Sequence, residues 1–426
     1  MDKSITASLT EDYTHPVRDV LWGHIYMTEK LARLTEAAPF MRLNRIMQLG
    51  PVFLVYPGAT HTRASHSIGV YHLGRRLLQN LVERGADNWL TPEGVKSFLS
   101  ACLLHDLGHF PYTHSLKELS LSSHEALTGA VILKEPMKSL VGAVGADPAL
   151  TAAIVDREIN GGGDELLFYR KLLSGSLDPD KLDYLNRDAR YCGVPYGAQD
   201  VDFILSRLYP DKEKGVNIDS RLIPNVESVL FSKYLMYRTV YWHRQVRSAT
   251  AMVKKALINC MESGKISGED LYNLDDTSLF TLLKEKSSGT LAESVHEGRI
   301  FATAAEISPE QLDLSAIRGF AERAKVESLL AEELRRAGLE LKDEDIIIDI
   351  PDPVSFETGL YVADEKCSFS SSSSAFKQEI VDAFIKTLYT VRVFINQKYK
   401  ETIKTFLKDY GIIERLMKRE DRNGHS

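Results

Sequence analysis

Apolar residues recur at helical spacing through much of the first half of the chain. Between Met27 and Leu49 they fall at Leu31, Leu34, Phe40, Leu43, Ile46 and Met47, and the run ends at the breaker Gly50-Pro51. Two helices joined near Ala37 are expected there. Residues 67–83, 92–104, 124–133 and 200–208 carry the same period, and a long helix is predicted from Val226 to about Met261. Strand-like alternation is scarce before residue 214. Beyond the long helix, charged and Ser-rich stretches at 284–288 and 370–374 interrupt the helical pattern. The run from Asp345 to Ile350 reads as a short strand, and a closing helix is expected from Phe376 to about Tyr399. Gly161, Gly162 and Gly163 read as a turn, since no Lys-Ser/Thr pair follows them and no buried strand precedes them, as a phosphate loop requires. No internal repeat is visible.

Composition sharpens this outline. A chain of 426 residues with 44% hydrophobic content can bury a full core and exceeds the usual size of one compact domain. The expected fold is therefore mainly α, with a helical catalytic bundle over residues 17–265 and a smaller α+β appendage over 266–426. The formal net charge is −7 and the sequence pI about 6.0, so nothing draws the molecule as a whole to nucleic acid or to an anionic membrane. An anionic substrate has to meet a local basic pocket. The four cysteines, Cys102, Cys192, Cys260 and Cys367, form no CxxC pair, which argues against a thiolate zinc site and a disulfide framework. The first residues lack the apolar core of a signal peptide, and no uninterrupted apolar run reaches the roughly 18 residues of a membrane span. A cytoplasmic protein is expected, with no membrane partner.

One feature of the composition is uneven: seven of the twelve histidines fall between His61 and His124. Among them are His66, the adjacent pair His105-Asp106 closing a predicted helix, and then His109, His114 and His124. A single histidine on an apolar face is usually a hydrogen-bonded core residue. The adjacent pair is different, because apolar residues flank it on both sides and a buried carboxylate without a cation is unfavourable. Neutral imidazole and carboxylate are ligands of hard or borderline divalent metals, and a His-Asp pair at a helix end aims two donors at one point. A further carboxylate is available between Ser176 and Tyr184, where Asp178, Asp180 and Asp183 lie close together.

Five segments, in order, carry a resemblance: PFMRLNRIMQLG (39–50), YPGATHTRASHSIGV (56–70), HDLGHFPYTH (105–114), HE (124–125) and DPDKLDYLNRD (178–188). The chain resembles the HD-domain phosphohydrolases over roughly residues 17–250, and most closely the deoxynucleoside triphosphate triphosphohydrolases. The resemblance implies His66, His105, Asp106 and Asp180 as ligands of a divalent metal, which the donor set allows to be Mg, Mn, Fe, Ni or Zn. It places Arg63, Lys181 and Tyr241 on the phosphates of a nucleotide. Gln48, Leu49, Tyr184 and Asp188 come to the sugar, with Gln and Asp on the 3′-hydroxyl and Leu crowding the place of a 2′-hydroxyl. His61 and His72 have no part in the family motif and are taken as structural.

The chain departs from its relatives at Lys117, where an acid is common, and at Lys233 and Tyr237, where relatives place Arg and His on the phosphates; Lys233 is expected to neutralise the polyphosphate with Arg63 and Lys181, and Tyr237 to bind the substrate beside Tyr241. The implied reaction is metal-assisted attack of water on the α-phosphorus of a dNTP, giving deoxynucleoside and triphosphate. His114 is the expected acid for the leaving 5′-oxygen, with His109 and His124 as alternates or orienters. The departures keep a second enzyme reading open, an HD-type phosphodiesterase or phosphatase acting on another nucleotide or phosphate ester. A third is a nucleotide-sensing protein that binds without turnover. Relatives assemble, so a homo-oligomer and a nucleotide activator at a subunit interface are expected; a dedicated nucleic-acid binder is not, for want of a long basic tail.

Overall fold

The computed structural model describes residues 3–406 and Ile413, apart from Lys117, Ser120, Ser288, Asp313 and Pro353. Helix α1 (Glu29–Glu36) starts where the Thr28 hydroxyl accepts the Leu31 N–H, and α2 (Ala38–Leu43) follows after one extended residue, Ala37. The second helix stops short of Leu49. Its apolar period runs on through Ile46 and Met47, but these residues are held in a bridge: Met47 pairs with Thr62, Arg63 N–H donates to the Ile46 carbonyl at 3.0 Å, and Gln48 N–H donates to the His61 carbonyl at 3.0 Å.

Four helices then set the catalytic half: α3 (Arg63–Glu83), α4 (Pro92–Leu104), α5 (His124–Ile132) and α6 (Pro179–Cys192). Thr62, Thr91, Ser123 and Asp178 cap them, each accepting a backbone N–H of the first turn, and Pro stands in the first turn of α4 and α6. Helix α3 is central and packs on both α4 and α6. Its contact with α6 needs Gly69, where an added Cβ would lie 1.9 Å from an Asp183 carboxylate oxygen.

The expected long helix is broken. Helix α7 (Ile223–Met236) passes into a π turn over Tyr237–Tyr241, closed by Trp242 N–H donating to the Tyr237 carbonyl at 2.9 Å, and α8 (Arg244–Glu262) restarts after His243. One extra residue in a turn leaves no mark on the hydrophobic period, so the sequence reads as continuous.

Strands are few. A ribbon of His15–Asp19 and Gly23–Met27, unforeseen in the sequence, precedes α1. In the C-terminal part, β1 (Ala302–Ile307), β2 (Ile346–Asp349) and β3 (Val391–Ile395) form an antiparallel sheet with β3 in the middle, backed by α9 (Phe320–Arg336). The expected closing helix is corrected here: α10 (Gln378–Leu388) ends early, and Val391–Ile395 is a strand buried at every position. A central strand covered on both faces shows no alternation to read. The C-terminal region also returns to the first core. Tyr361–Val362 pairs in parallel with Gly215–Ile218, and Val354, Phe356, Leu360 and Val362 are buried in the same apolar cluster as α3 and α4. The fold is mainly α, as expected. Among the described residues no single helix is long and apolar enough to cross a membrane.

Candidate active site

Three helix ends meet at one point. The first turn of α3 presents Arg63 and His66, the end of α4 presents His105 and Asp106, and the first turn of α6 presents Asp180. His66 Nε2 lies 3.0 Å from Asp180 Oδ1, and His105 Nε2 lies 3.2 Å from Asp106 Oδ1 and 4.0 Å from Asp180 Oδ1. One donor atom each from His66, His105 and Asp106 falls within 4.8 Å of the others.

Hydrogen bonds on the outer ring nitrogens set which lone pairs face this point. His105 Nδ1 faces the Cys102 carbonyl at 2.9 Å, which fixes the hydrogen there and leaves Nε2 a bare lone pair, buried and without a hydrogen-bond partner. His66 Nδ1 faces Asp183 Oδ2 at 2.9 Å, so its Nε2 also turns toward a carboxylate. Two imidazole nitrogens and two carboxylates aimed at one another fit a divalent cation. Burial lowers the His66 pKa, but hydrogen bonds to Asp180 and Asp183 outweigh it and push it up to about 10. Burial raises Asp106, yet its contacts with the His109 and His105 imidazoles and with the Arg63 guanidinium hold it well below the usual carboxylate range.

Asp183 went unassigned in the sequence and proves to be the support of His66. It accepts from Arg187 Nε at 2.8 Å and Nη2 at 2.9 Å and from Trp22 Nε1 at 2.6 Å, while Arg187 Nη1 reaches Asp19 at 2.8 Å. The Asp183 and Arg187 spacing of one helical turn was the available signal.

Beside the ligands stands a group of three imidazoles. His109 stacks on His124 with ring centroids 4.0 Å apart, and His114 lies 4.8 Å and 5.3 Å from them. His109 Nε2 is 3.2 Å from Asp106 Oδ1, and burial, then the charge of Arg63, drives its pKa well down. His124 is lowered too, chiefly by burial. His114 is exposed to solvent and lines the cavity. Lys117 lies outside the described residues.

All these groups open into a cavity of about 420 Å³. Every residue expected at the site lines it except Lys181 and Lys233. Gln48 and Leu49 form one wall, with the Gln48 Oε1 buried and unpartnered. Tyr184, Tyr237 and Tyr241 form another, their phenols kept protonated by burial. Asp188 sits between, accepting from the Tyr241 hydroxyl at 2.6 Å and facing His61 Nε2 at 2.8 Å. Arg63 Nη1 pairs with Asp106 at 2.9 Å, leaving its buried Nε free of partners.

The two lysines are a correction. Lys181 Nζ is held by Asp178 at 2.7 Å, Glu357 at 2.9 Å and the Gly175 carbonyl at 3.0 Å. Lys233 Nζ donates to the Ser355 carbonyl at 2.8 Å. Both cations are committed to the 354–357 segment, which folds back from a part of the chain whose position the sequence did not disclose. That fold also supplies unforeseen lining residues, Asp352, Val354 and Arg247, the last paired with Asp349 at 2.6 and 2.8 Å. Trp242 and Tyr112 are among the further lining residues that the sequence missed. His72 stays outside the cavity, pushed down to about 4 by burial, then by Arg76 and Arg75.

A family model described as HD associated region matches residues 200–421, just over half of the chain. The chain belongs to this family, among the HD-domain phosphohydrolases. The HD associated region contributes Tyr237, Tyr241, Arg247 and Asp352 to the cavity of this HD-domain protein, so the match covers one wall of the site. Among its relatives, an uncharacterised protein of Methanocaldococcus jannaschii is 28% identical over 415 residues, 95% of this chain and 84% of that protein. The deoxynucleoside triphosphate triphosphohydrolase of Bos taurus is 24% identical over 318 residues, 65% of this chain and 53% of its own length. Several further curated relatives are matched over only 53% to 66% of their own length. A phosphohydrolase from Bacteroides thetaiotaomicron, known from its crystal structure, shares the fold with a TM-score of 0.69 at 22% identity, covering 90% of this chain and 99% of that one.

Proposed function

We propose that this HD-domain phosphohydrolase cleaves deoxynucleoside triphosphates to deoxynucleoside and triphosphate. The observation that carries the reading is the shared cavity: the candidate metal ligands and the imidazole group open onto the same space as Gln48, Leu49, Asp188 and the tyrosine wall. His66, His105, Asp106 and Asp180 would hold a divalent metal, which when bound polarises a phosphoryl oxygen and acidifies a water. Arg63, through its free Nε, faces the phosphate. His114, the most open of the three imidazoles, gives a proton to the 5′-oxygen as it leaves, while His109 and His124, neutral by burial, hold the neighbouring groups in place. Asp188 accepts from the sugar hydroxyl, the Gln48 amide hydrogen-bonds the same group, and Leu49 leaves no room beside it. On the same reading the protein works in the cytoplasm as a homo-oligomer, with a nucleotide activator between subunits.

One observation favours a second substrate. Lys181 and Lys233, the cations a triphosphate tail would use, are tied to Glu357 and Ser355. An ester with fewer phosphates asks less of them. Incubating the purified chain with each dNTP, singly and in mixtures, with Mg²⁺ or Mn²⁺, separates the two: the proposal expects triphosphate and deoxynucleoside, and release of orthophosphate or a mononucleotide instead would transfer the site to the second reading.

A further inference from the structure

We propose that His61 is a positioning residue that assembles the hydroxyl-recognising corner of the cavity; the inference rests on the sugar reading just given. His61 is buried and lies behind the cavity wall, not in it. Its two halves reach the two opposite members of that corner. The imidazole Nε2 stands 2.8 Å from Asp188 Oδ1, and the backbone carbonyl accepts the Gln48 N–H at 3.0 Å. The adjoining bridge between Met47 and Thr62 locks this second link.

What the corner offers a ligand is hydrogen-bonding capacity. Gln48 lines the cavity, and its Oε1 is buried and has no partner. Both Asp188 oxygens are already engaged, one from behind by His61 and one by the Tyr241 hydroxyl at 2.6 Å, with lone pairs left over. The Asp188 carboxylate can take the single hydrogen of a sugar hydroxyl, whose oxygen can in turn accept from the Gln48 amide nitrogen. The His61 ring cannot swing away, because it stacks on Tyr191 with centroids 4.6 Å apart. Its other nitrogen, Nδ1, is buried without a partner, an arrangement that lowers stability and that an apolar side chain would avoid. Packing alone therefore does not account for an imidazole here; the Nε2 link to Asp188 does.

The test measures kcat and KM for a dNTP and for its 2′,3′-dideoxy counterpart, together with bound metal, in the full chain and in His61→Asn and His61→Gln. Asn is too short to reach Asp188, whereas the Gln amide can place a donor near the position of Nε2. The unaltered chain should favour the substrate bearing the 3′-hydroxyl. His61→Asn should reduce that preference about tenfold, the worth of one lost charge-assisted hydrogen bond, through KM and with metal content retained. His61→Gln should restore most of it. If His61→Asn does not hold its fold or metal, His61→Leu takes its place. Full preference kept by the Asn or Leu variant overturns the role of His61 alone; no preference in the unaltered chain overturns it together with the sugar reading.

Discussion

Asp106 and Asp183 are both buried aspartates beside an imidazole, yet their surroundings assign them different work. Asp106 turns an oxygen toward the bare Nε2 of His105, while Asp183 sits on the far side of His66 and is neutralised by Arg187. Replacing Asp106 with Ala should abolish metal binding and turnover. Asp183→Asn should keep the ligand set but lower metal affinity by about 10- to 100-fold, the usual consequence of losing the group that orients a ligating histidine. Metal titration of both variants checks this, and equal affinities in the two would refute the division of roles. The convergence of His66, His105, Asp106 and Asp180 was legible because a His-Asp pair within an apolar helix end is chemically conspicuous. His61 was not, since its partner Asp188 is 127 residues away and nothing in its own neighbourhood marks the pairing.

Helix ends carry the site, and the joints between elements are where the sequence said least. The apolar period announced α3, α4 and α5 within a few residues of their ends, whereas α6, with its buried charged residues, was not read as a helix. The π turn and the strand β3 were hidden, one by an unbroken apolar period and the other by burial on both faces. A further joint ties the loop bearing Gln48 to the C-terminal half: Arg45 pairs with Asp275 at 2.6 Å, and the Asp276 carboxylate accepts the Met47 N–H at 2.8 Å. Burial raises the Asp276 pKa to about 6, despite that hydrogen bond and the charge of Arg63. A carboxyl shifted upward in the fold opposes folding once ionised. Well below pH 4 both states hold the proton; from about pH 4 to 6 the unfolded state has lost it while the folded state keeps it, and stability falls. Asp276→Asn should therefore be about 1–3 kcal/mol more stable than the native chain above pH 7, with the gap closing near pH 4. Thermal melts at both pH values decide it, and a gap independent of pH would contradict the assignment.

At the scale of the molecule, the sequence suggested a catalytic bundle followed by an appendage, whereas the cavity is built by both. Asp352 and Val354 line it, and Phe356 is buried in the first core, its ring 5.8 Å from Phe384 and 5.5 Å from the Lys233 ammonium. Contacts between residues so far apart in the chain leave no periodic trace, which is why Lys181 and Lys233 were expected on phosphate. Phe356→Ala should destabilise the whole protein by about 3–5 kcal/mol in one cooperative transition. Calorimetry showing a separate early transition, with the first half unaffected, would mean the C-terminal region is an independent attachment. The net charge of −7 adds a constraint: attraction for an anion has to come from the cavity itself, from Arg63 and from a divalent cation where the candidate ligands hold one.

The central claim is that water attacks the α-phosphorus and the bond from phosphorus to the 5′-oxygen breaks. Turnover of a dNTP in ¹⁸O-water followed by mass spectrometry tests this most directly. The account predicts one ¹⁸O atom in the released triphosphate and none in the deoxynucleoside; label in the deoxynucleoside, or its appearance in orthophosphate or pyrophosphate with a nucleotide as the other product, would contradict it.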